Sequence, residues 1–484
     1  MEVRSHREKG RKKMYLSKYC DDILTDRGQR YLIHTLAGRI DPVSPEIYED
    51  YKRLKRNTEE TVPEETKKFL MEGQYLLENE GQEKQMVEQA YESYQEKMKN
   101  KPVTFFNYIT YDCNLRCGYC CYRYLDRETS VMDQAYIDNV FQAMAQMQEK
   151  SGRKCSRIVL SGGEPLLKEN YDSVEYFFRK AKQHIGNEAA AGRKCIFTIF
   201  TNATQAPEYK ELLTEYKDMV SLVFVTLNGK KEHHDGERIT GDGRGSFDDV
   251  IKGIHTFLSL GINTLTVCNV GRKTVGQLPG IYEVARENKW IGHPNFKGCF
   301  VSRIKDHRQE NDNVISEDEL IKAVVSLMEE GELHEEFYNF GDLKQLKIAL
   351  QFMEASRKNA KAGNYHQFSG CNNKGSQYSF SVDANIYACA PSMGLWEYAV
   401  GNFMPDIVYD KEMKDWWESR SFLNIPKCRD CSIAFLCGGG CAFEAVEKNG
   451  DCNNPNCSGI KNILKLFLET DAASRLKHDD LLYD

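Results

Sequence analysis

Cys113-Asn-Leu-Arg-Cys117-Gly-Tyr-Cys120 sets three cysteines at C-x3-C-x2-C spacing, in a tight loop just after an apolar run. Three thiolates can hold three irons of a four-iron cluster and leave the fourth iron without a protein ligand. An open metal position is a place where chemistry can occur. The same three cysteines could hold a catalytic-type zinc with one open position, and chance spacing is the third reading. Further on, the chain reads Ile158-Val-Leu-Ser-Gly162-Gly163-Glu164-Pro165-Leu166. Here a short apolar strand ends in two glycines, an acid and a proline. Glycines let backbone polar groups approach a ligand closely, and a carboxylate can accept a hydrogen bond from an ammonium group.

A second set of cysteines lies towards the C-terminus. Of seventeen in all, eleven fall in two groups: 113, 117 and 120, then 371, 389, 428, 431, 437, 441, 452 and 457. Clustered cysteines in a long chain with no signal-peptide pattern point to metal or cluster binding rather than to disulfides. The scattered six (Cys20, Cys121, Cys155, Cys195, Cys268, Cys299) read as small buried apolar residues, with Cys121 a bystander beside the loop. Gly438-Gly-Gly440 sits among the later cysteines, where glycine lets the backbone wrap tightly. Zinc remains an alternative for the Cys428-x2-Cys431-x5-Cys437 piece taken alone.

The cysteine loop followed by Gly-Gly-Glu-Pro resembles the radical S-adenosylmethionine (SAM) superfamily, and Tyr119 matches the aromatic that usually precedes the third cysteine. The later field resembles the SPASM domain, which carries auxiliary four-iron clusters. The resemblance implies three [4Fe–4S] clusters, with Cys113, Cys117 and Cys120 binding the one that chelates SAM. It implies SAM contacts at Tyr119, Gly162, Gly163, Glu164 and Pro165. It also implies that Cys371, Cys389 and Cys441 hold the first auxiliary cluster, and Cys428, Cys431, Cys437 and Cys457 the second. Cys452 is then a fourth ligand of the first, a swap partner for Cys457, or a bystander. One departure is Ala384-Asn385, where a glycine usually turns the hairpin between Cys371 and Cys389.

These residues need a scaffold. Strand-like runs at 103–109, 156–160, 195–201, 221–227, 263–269 and 297–302 alternate with helix-like segments near 131–149, 170–184, 207–217, 246–259 and 276–288. Ser130 is a candidate N-cap for the first helix. Alternation of this kind implies a parallel sheet with right-handed crossovers. The fold class is therefore α/β, and the resemblance implies a partial (β/α)6 radical SAM barrel with an N-terminal α+β module and a C-terminal cysteine-rich SPASM domain. In such barrels the site sits at the C-terminal strand ends, which is where both motifs fall. Thr201 ends the third strand and can line the SAM pocket. The stretch from Thr226 through His233-His234 to Arg238 resembles the peptide- and sulfatase-modifying branch, in which the Thr226 and Arg238 positions contact SAM. Adjacent histidines point apart, so His233 and His234 read as structural.

The expected organisation is an N-terminal module at 1–100, the barrel at 101–310, a bridging region at 311–368, the SPASM field at 369–460, and a C-terminal helix and tail at 461–484. In the module, 31–36 reads as a strand with a turn at Ala37-Gly38. A helix starts at Ser44-Pro45. A second, from Pro63, gathers Phe69, Leu70, Leu76 and Leu77 and stops near Gly81, and a third covers 82–99. The module resembles winged-helix-like leader-peptide recognition modules, which add a peptide as a strand to a sheet edge; the alternative is a structural cap.

The chain has 484 residues, 41% of them hydrophobic and 28% charged, which fits a globular protein with a large core. The net charge of −7 gives no reason to expect nucleic-acid binding, and the basic stretch 4–13 reads as a solvated tail. No run is apolar enough to span a bilayer, so the sequence reads as cytoplasmic. The function implied is a maturase for a ribosomally made precursor peptide with a leader. It would form an intramolecular cross-link, a thioether of the sactipeptide or ranthipeptide type, by net two-electron oxidation, with electrons from flavodoxin or ferredoxin. Alternatives are an anaerobic sulfatase maturase making formylglycine, a cyclophane-type carbon–carbon cross-linking maturase, and a non-catalytic iron–sulfur electron carrier. No general base stands out. Asp383 and Glu397 lie near the cysteines in sequence. Cys389 is followed by Ala390-Pro391, where sulfatase maturases typically carry an aspartate base.

Overall fold

The computed structural model describes residues 14–122, 124–125, 131–305, 312–358, 365–371 and 375–479. The basic stretch 4–13 and the expected cap Ser130 lie outside them.

The N-terminal module begins with β1 (Tyr15–Leu16), followed by an antiparallel sheet of β2 (Cys20–Leu24), β3 (Arg30–His34) and β4 (Arg39–Pro42). Gly38 sits at φ +73° in the turn between β3 and β4, a conformation open to glycine. The helix Pro45–Arg56 starts as its sequence dictates, with Ser44 accepting from the Ile47 N–H and Pro45 at the first position. It buries Tyr48, Tyr51 and Leu54 on one face. The second helix, Glu64–Glu72, is shorter than its apolar spacing suggests. Gly73 and Gln74 (φ +62°) end it, and Leu76–Leu77 form β5, paired with β1. Leu76 and Leu77 thus belong to a strand and not to the helix. Helix Glu80–Lys99 follows.

The barrel strands are β6 (Val103–Tyr108), β7 (Cys155–Ser161), β8 (Lys194–Thr201), β9 (Val220–Thr226), β10 (Thr264–Val270) and β11 (Phe296–Arg303), all parallel and in sequential order. Ile158, Val159 and Leu160 are all fully buried, as expected for a parallel strand covered on both faces. The helices between strands match the apolar spacing. The first, Gln134–Ser151, is capped by Asp133 and ends at left-handed Gly152. Within the bridging region, β12 (Tyr338–Asn339) adds to the sheet beside β11, flanked by helices Glu317–Glu329 and Lys344–Arg357.

The sheet does not stop at the barrel. β13 (Gln377–Ser381) pairs parallel with β6, matching Gln377 to Thr104 and Ser381 to Tyr108. It then continues antiparallel through β14 (Asn385–Tyr387), β15 (Ala399–Asn402) and β16 (Val408–Tyr409). The first strand of the barrel is therefore also the platform for the cysteine-rich region. The expected domain boundary near 369 is crossed by this one eleven-stranded sheet. The N-terminal module docks on the same region: Tyr19 and Tyr94 share a core with Phe368, Phe422 and Phe435. Thr35 donates to the Ser432 carbonyl at 2.7 Å. Among the described residues, no helix is long and apolar enough to cross a membrane.

Candidate active site

The cysteine loop leaves the C-terminal end of β6 and is stitched to the segment after β9. The Arg116 N–H donates to the Ile239 carbonyl at 2.7 Å, Gly118 donates to Glu237, and Gly241 donates to Asn114. This brings Arg238 under the loop. Its guanidinium is buried and donates to the Tyr119 hydroxyl at 2.7 Å; Asn228 donates to the same oxygen at 3.0 Å and to Glu237 at 2.8 Å. Burial alone would depress the Arg238 pKa, but Tyr119 and the thiols of Cys117 and Cys113 outweigh it and hold the group cationic. The Arg238 Nε is buried without a protein partner. Cys113, Cys117 and Cys120 are partly exposed, the Cys113 sulfur accepts from the Leu115 N–H at 3.4 Å, and a side chain at Gly118 would meet open space. An anionic cluster in this loop would thus have room on one side and a fixed cation on the other. His234 is structural: its Nδ1 accepts from the Asn228 N–H and its Nε2 meets Ser246.

Glu164 follows β7 and is 1% exposed. Its carboxylate accepts from the Thr201 hydroxyl (2.6 Å), the Asn202 N–H (2.5 Å) and the Leu166 N–H (2.9 Å). Burial raises its pKa even against these bonds. The carboxylate therefore braces the ends of β7 and β8 together, a use that the motif alone did not reveal. Gly163 is glycine for an equally internal reason. A Cβ there would lie 2.2 Å from the Asp112 carbonyl oxygen and 2.4 Å from that of Tyr111. The backbone approached so closely is the start of the cysteine loop, and the Gly163 and Glu164 N–H groups bond to Thr110 and Asp112. The two motifs are thus one backbone unit. Asn202 extends it, donating to Asn114 inside the loop at 2.8 Å. Pro165 continues the braced segment, and Thr226 lies half-buried at the end of β9, opposite Val267 of β10.

The C-terminal cysteines form two neighbourhoods. Cys428 is raised to about 11 by burial and by Cys437, Cys431 and Cys457, so these four lie close together. Cys452 is fully buried and raised to about 12, chiefly by burial; Cys371 is a neighbour, and Arg420 pulls the other way. Cys389 is buried on the barrel side, within the electrostatic reach of Tyr108 on β6. Gly438, Gly439 and Gly440 have φ of +61°, +81° and +73°. A Cβ on Gly440 would lie 1.9 Å from the Asn456 carbonyl oxygen. The chain between Cys437 and Cys441 is therefore wrapped against the segment holding Cys457.

The hairpin turn between β13 and β14 carries Ala384 at φ +65°, the conformation in which a glycine is usual. Asp383 compensates by accepting from the Ser381 hydroxyl, the Asn385 N–H (3.1 Å) and the Tyr387 hydroxyl (3.0 Å). That carboxylate is consumed by the turn, and Glu397 is exposed, so neither stands as a base at the barrel mouth. Of the scattered cysteines, Cys20, Cys268 and Cys299 are buried as expected, whereas Cys121, Cys155 and Cys195 are half-buried; burial pushes the Cys299 thiol up to about 12.

Sequence reasoning missed a charged group at the end of β11. Arg303 pairs with Glu444 at 2.9 Å, Ser302 donates to Asp342 at 2.8 Å, and Lys305 lies 3.8 Å from Asp342. Glu317, buried beside Arg303, is raised to about 7 by burial. No motif marks these residues. A cavity of about 970 Å³ opens at the opposite end of the barrel, where Ser221, Asn263, Phe296 and Gly298 line it. None of the candidate residues reaches it, and the chemistry of the cysteines belongs to the other end.

Residues 107–283 match the radical SAM superfamily. Those residues are a radical SAM domain. The chain is 24% identical over 350 residues to a cysteine-type anaerobic sulfatase-maturating enzyme of Clostridium perfringens, covering 68% of this chain and 85% of that protein. It is 24% identical over 495 residues to the radical SAM cyclopropyl synthase TigE of Paramaledivibacter caminithermalis, covering 95% and 96%. Streptococcus suis SuiB, solved bound to its precursor peptide SuiA, shares the fold with a TM-score of 0.53 and 16% identity over 92% of this chain and 99% of that one. The cysteine-rich C-terminal region fits a SPASM-like domain. The radical SAM match over residues 107–283 implies SAM and one [4Fe–4S] cluster. Among the described residues no group of His, Cys, Asp and Glu is arranged to hold a single metal ion.

Proposed function

We propose that this chain is a maturase for a ribosomally made peptide, joining two of its side chains in an intramolecular thioether by net two-electron oxidation. The observation that carries this reading is the extent of the likeness. The matches to TigE and SuiB, at 95% and 92% of the chain, must take in most of the N-terminal module, whereas the sulfatase-maturase match covers 68%. A docking module for a leader peptide explains why this part accompanies the barrel. In the module's sheet the β4 edge is engaged by Ser356, whose hydroxyl receives the Ile40 N–H at 2.8 Å.

A cluster and SAM bound here would supply radical hydrogen-atom abstraction from the substrate. The chain's own residues place the reactants. Cys113, Cys117 and Cys120 would hold the cluster that takes SAM. Arg238 and Tyr119 form a fixed polar wall beside the loop. Thr201, Asn202 and Leu166 hold Glu164, which fixes the 162–165 backbone as the edge of the SAM pocket. Cys371, Cys389, Cys441 and Cys452 form the first auxiliary set, and Cys428, Cys431, Cys437 and Cys457 the second. Cys452 enters the first set on its burial beside Cys371. Auxiliary centres suit a reaction in which the substrate radical must lose a further electron. A flavodoxin or ferredoxin is the fitting reductant.

A second reading, carbon–carbon ring closure, is favoured by the likeness to a cyclopropyl synthase along nearly the whole chain. Both readings remove two hydrogens, so thiol counting separates them. A peptide encoded beside the gene would be incubated anaerobically with reconstituted protein, SAM and reductant, then alkylated. Loss of two hydrogens with one cysteine newly protected from alkylation supports the thioether. The same mass loss with every cysteine still alkylated supports a carbon–carbon bond. Unchanged mass with no 5′-deoxyadenosine above background overturns both.

A further inference from the structure

Arg420 is fully buried in the middle of the cysteine-rich region. Its hydrogen bonds go to backbone carbonyls: Nη1 donates to Asn454 at 3.0 Å, and Nη2 to Gly439 at 2.5 Å and Gly440 at 3.3 Å. Carbonyls satisfy the donors but do not neutralise the charge. Its Nε is buried and has no partner among the described residues. Arg420 lies within electrostatic reach of the thiols of Cys452, Cys371, Cys441 and Cys428, and these come from both proposed sets of auxiliary ligands. The three carbonyls belong to the glycine wrap before Cys441 and to the segment between Cys452 and Cys457. One side chain thus ties together the two stretches that deliver ligands to both centres.

A guanidinium stays protonated under any ordinary condition. Burying it without a countercharge is expensive unless anions complete the site. Clusters ligated by thiolates carry net negative charge, and nearby charge and hydrogen bonds to sulfur set their reduction potentials.

We infer that Arg420 is the shared countercharge of the two auxiliary centres, with its Nε directed at cluster or cysteinyl sulfur, and that it raises their reduction potential so that they accept an electron more readily. It is a positioning residue, since it acts on the substrate only through those centres. The inference rests on the auxiliary-cluster reading proposed above.

The test uses the full-length protein in a Cys113→Ala, Cys117→Ala, Cys120→Ala background, so that only auxiliary signals remain. Iron and sulfide are counted, and the potential is read by EPR-monitored redox titration. Arg420→Gln keeps amide donors for the carbonyls and removes the charge; Arg420→Lys keeps the charge. The expected result for Arg420→Gln is a full iron complement with the reduced fraction at fixed potential lowered about tenfold, equivalent to about 59 mV for one electron. Arg420→Lys should stay near the parent. An unshifted Arg420→Gln protein with full iron overturns the inference. If Arg420→Gln does not assemble, Arg420→Lys decides: full iron at the parent potential supports the countercharge, and a downward shift as large as that expected for Arg420→Gln overturns it. Absence of iron from the parent background would instead overturn the auxiliary-cluster reading itself.

Discussion

The loop at 113–120 is held by the segments at 237–241, 163–164 and Asn202 and keeps its three thiols partly exposed, whereas the C-terminal field wraps its cysteines with three left-handed glycines around a buried arginine. Each region has a buried cation, but Arg238 faces a loop with three ligands and Arg420 stands between two sets rich enough to close. The difference matches the two roles proposed above for these regions. A centre that receives SAM needs an open position and a wall on one side. A centre that only passes electrons gains from closure, because a closed cluster exchanges no ligand.

The largest effect that would separate the two regions comes from removing ligands. Replacing Cys113, Cys117 and Cys120 with Ala should reduce SAM cleavage to background while the remaining iron stays bound. Replacing Cys428 and Cys437 with Ala should leave cleavage intact and stop product formation. Measured 5′-deoxyadenosine and peptide mass together decide, and loss of cleavage in both variants would erase the distinction.

Next come the glycines that let each region approach its neighbour. Gly163→Ala would drive a methyl onto the Asp112 carbonyl, and Gly440→Ala onto that of Asn456. Each should cost on the order of 3 kcal/mol locally. Gly163→Ala should weaken SAM binding by about 100-fold, the same energy read as affinity. Gly440→Ala should spare SAM binding and lower the iron count. Calorimetry with SAM and an iron assay check the pair. A smaller change is Tyr119→Phe, which removes the acceptor 2.7 Å from Arg238. Loss of a charge-assisted bond should weaken SAM binding by about tenfold, or roughly 1.5 kcal/mol.

Glu317 tests the joint between the regions. Its folded pKa of about 7 lies above the ordinary value of 4.5, mainly through burial. The folded state therefore holds the proton longer, and stability is lost as pH rises from about 4.5 through 7. Glu317→Gln keeps an acceptor for the Gln345 N–H and removes that loss. It should be near neutral at pH ~4.5 and more stable than the parent by roughly 1–3 kcal/mol at pH ~8. Denaturant unfolding at the two pH values would refute this if the difference does not grow with pH. The smallest effect belongs to Cys121→Ala, which should leave SAM cleavage unchanged and cost about 1 kcal/mol of packing.

The barrel was legible because its signals are local and redundant. Each strand run and each amphipathic helix announces itself, so the expected spans at 195–201 and 246–259 fall within a residue of β8 and the helix Phe247–Ser259. The shorter second helix of the module was misjudged because Gly73 and Gln74 end it between two apolar pairs, and the continuing leucines of β5 keep a helical spacing. At the site, residue types were readable but their partners were not. Glu164 in its motif says nothing of Thr201 and Asn202 on the next strand, and Arg420 sits in no motif at all. Such contacts depend on which loop ends meet, which composition and period do not encode.

The pairing of β6 with β13 has a consequence for how the protein is made. Thr104 waits for Gln377, so the edge of β6 emerges from the ribosome well before its neighbour. At ordinary synthesis rates the interval is on the order of tens of seconds. During that time an apolar parallel strand presents unpaired backbone groups, the kind of edge that recruits other nascent chains. Cofactor loading, chaperone protection and slow translation at low temperature would then matter most for this molecule in the window before residue 377 is made.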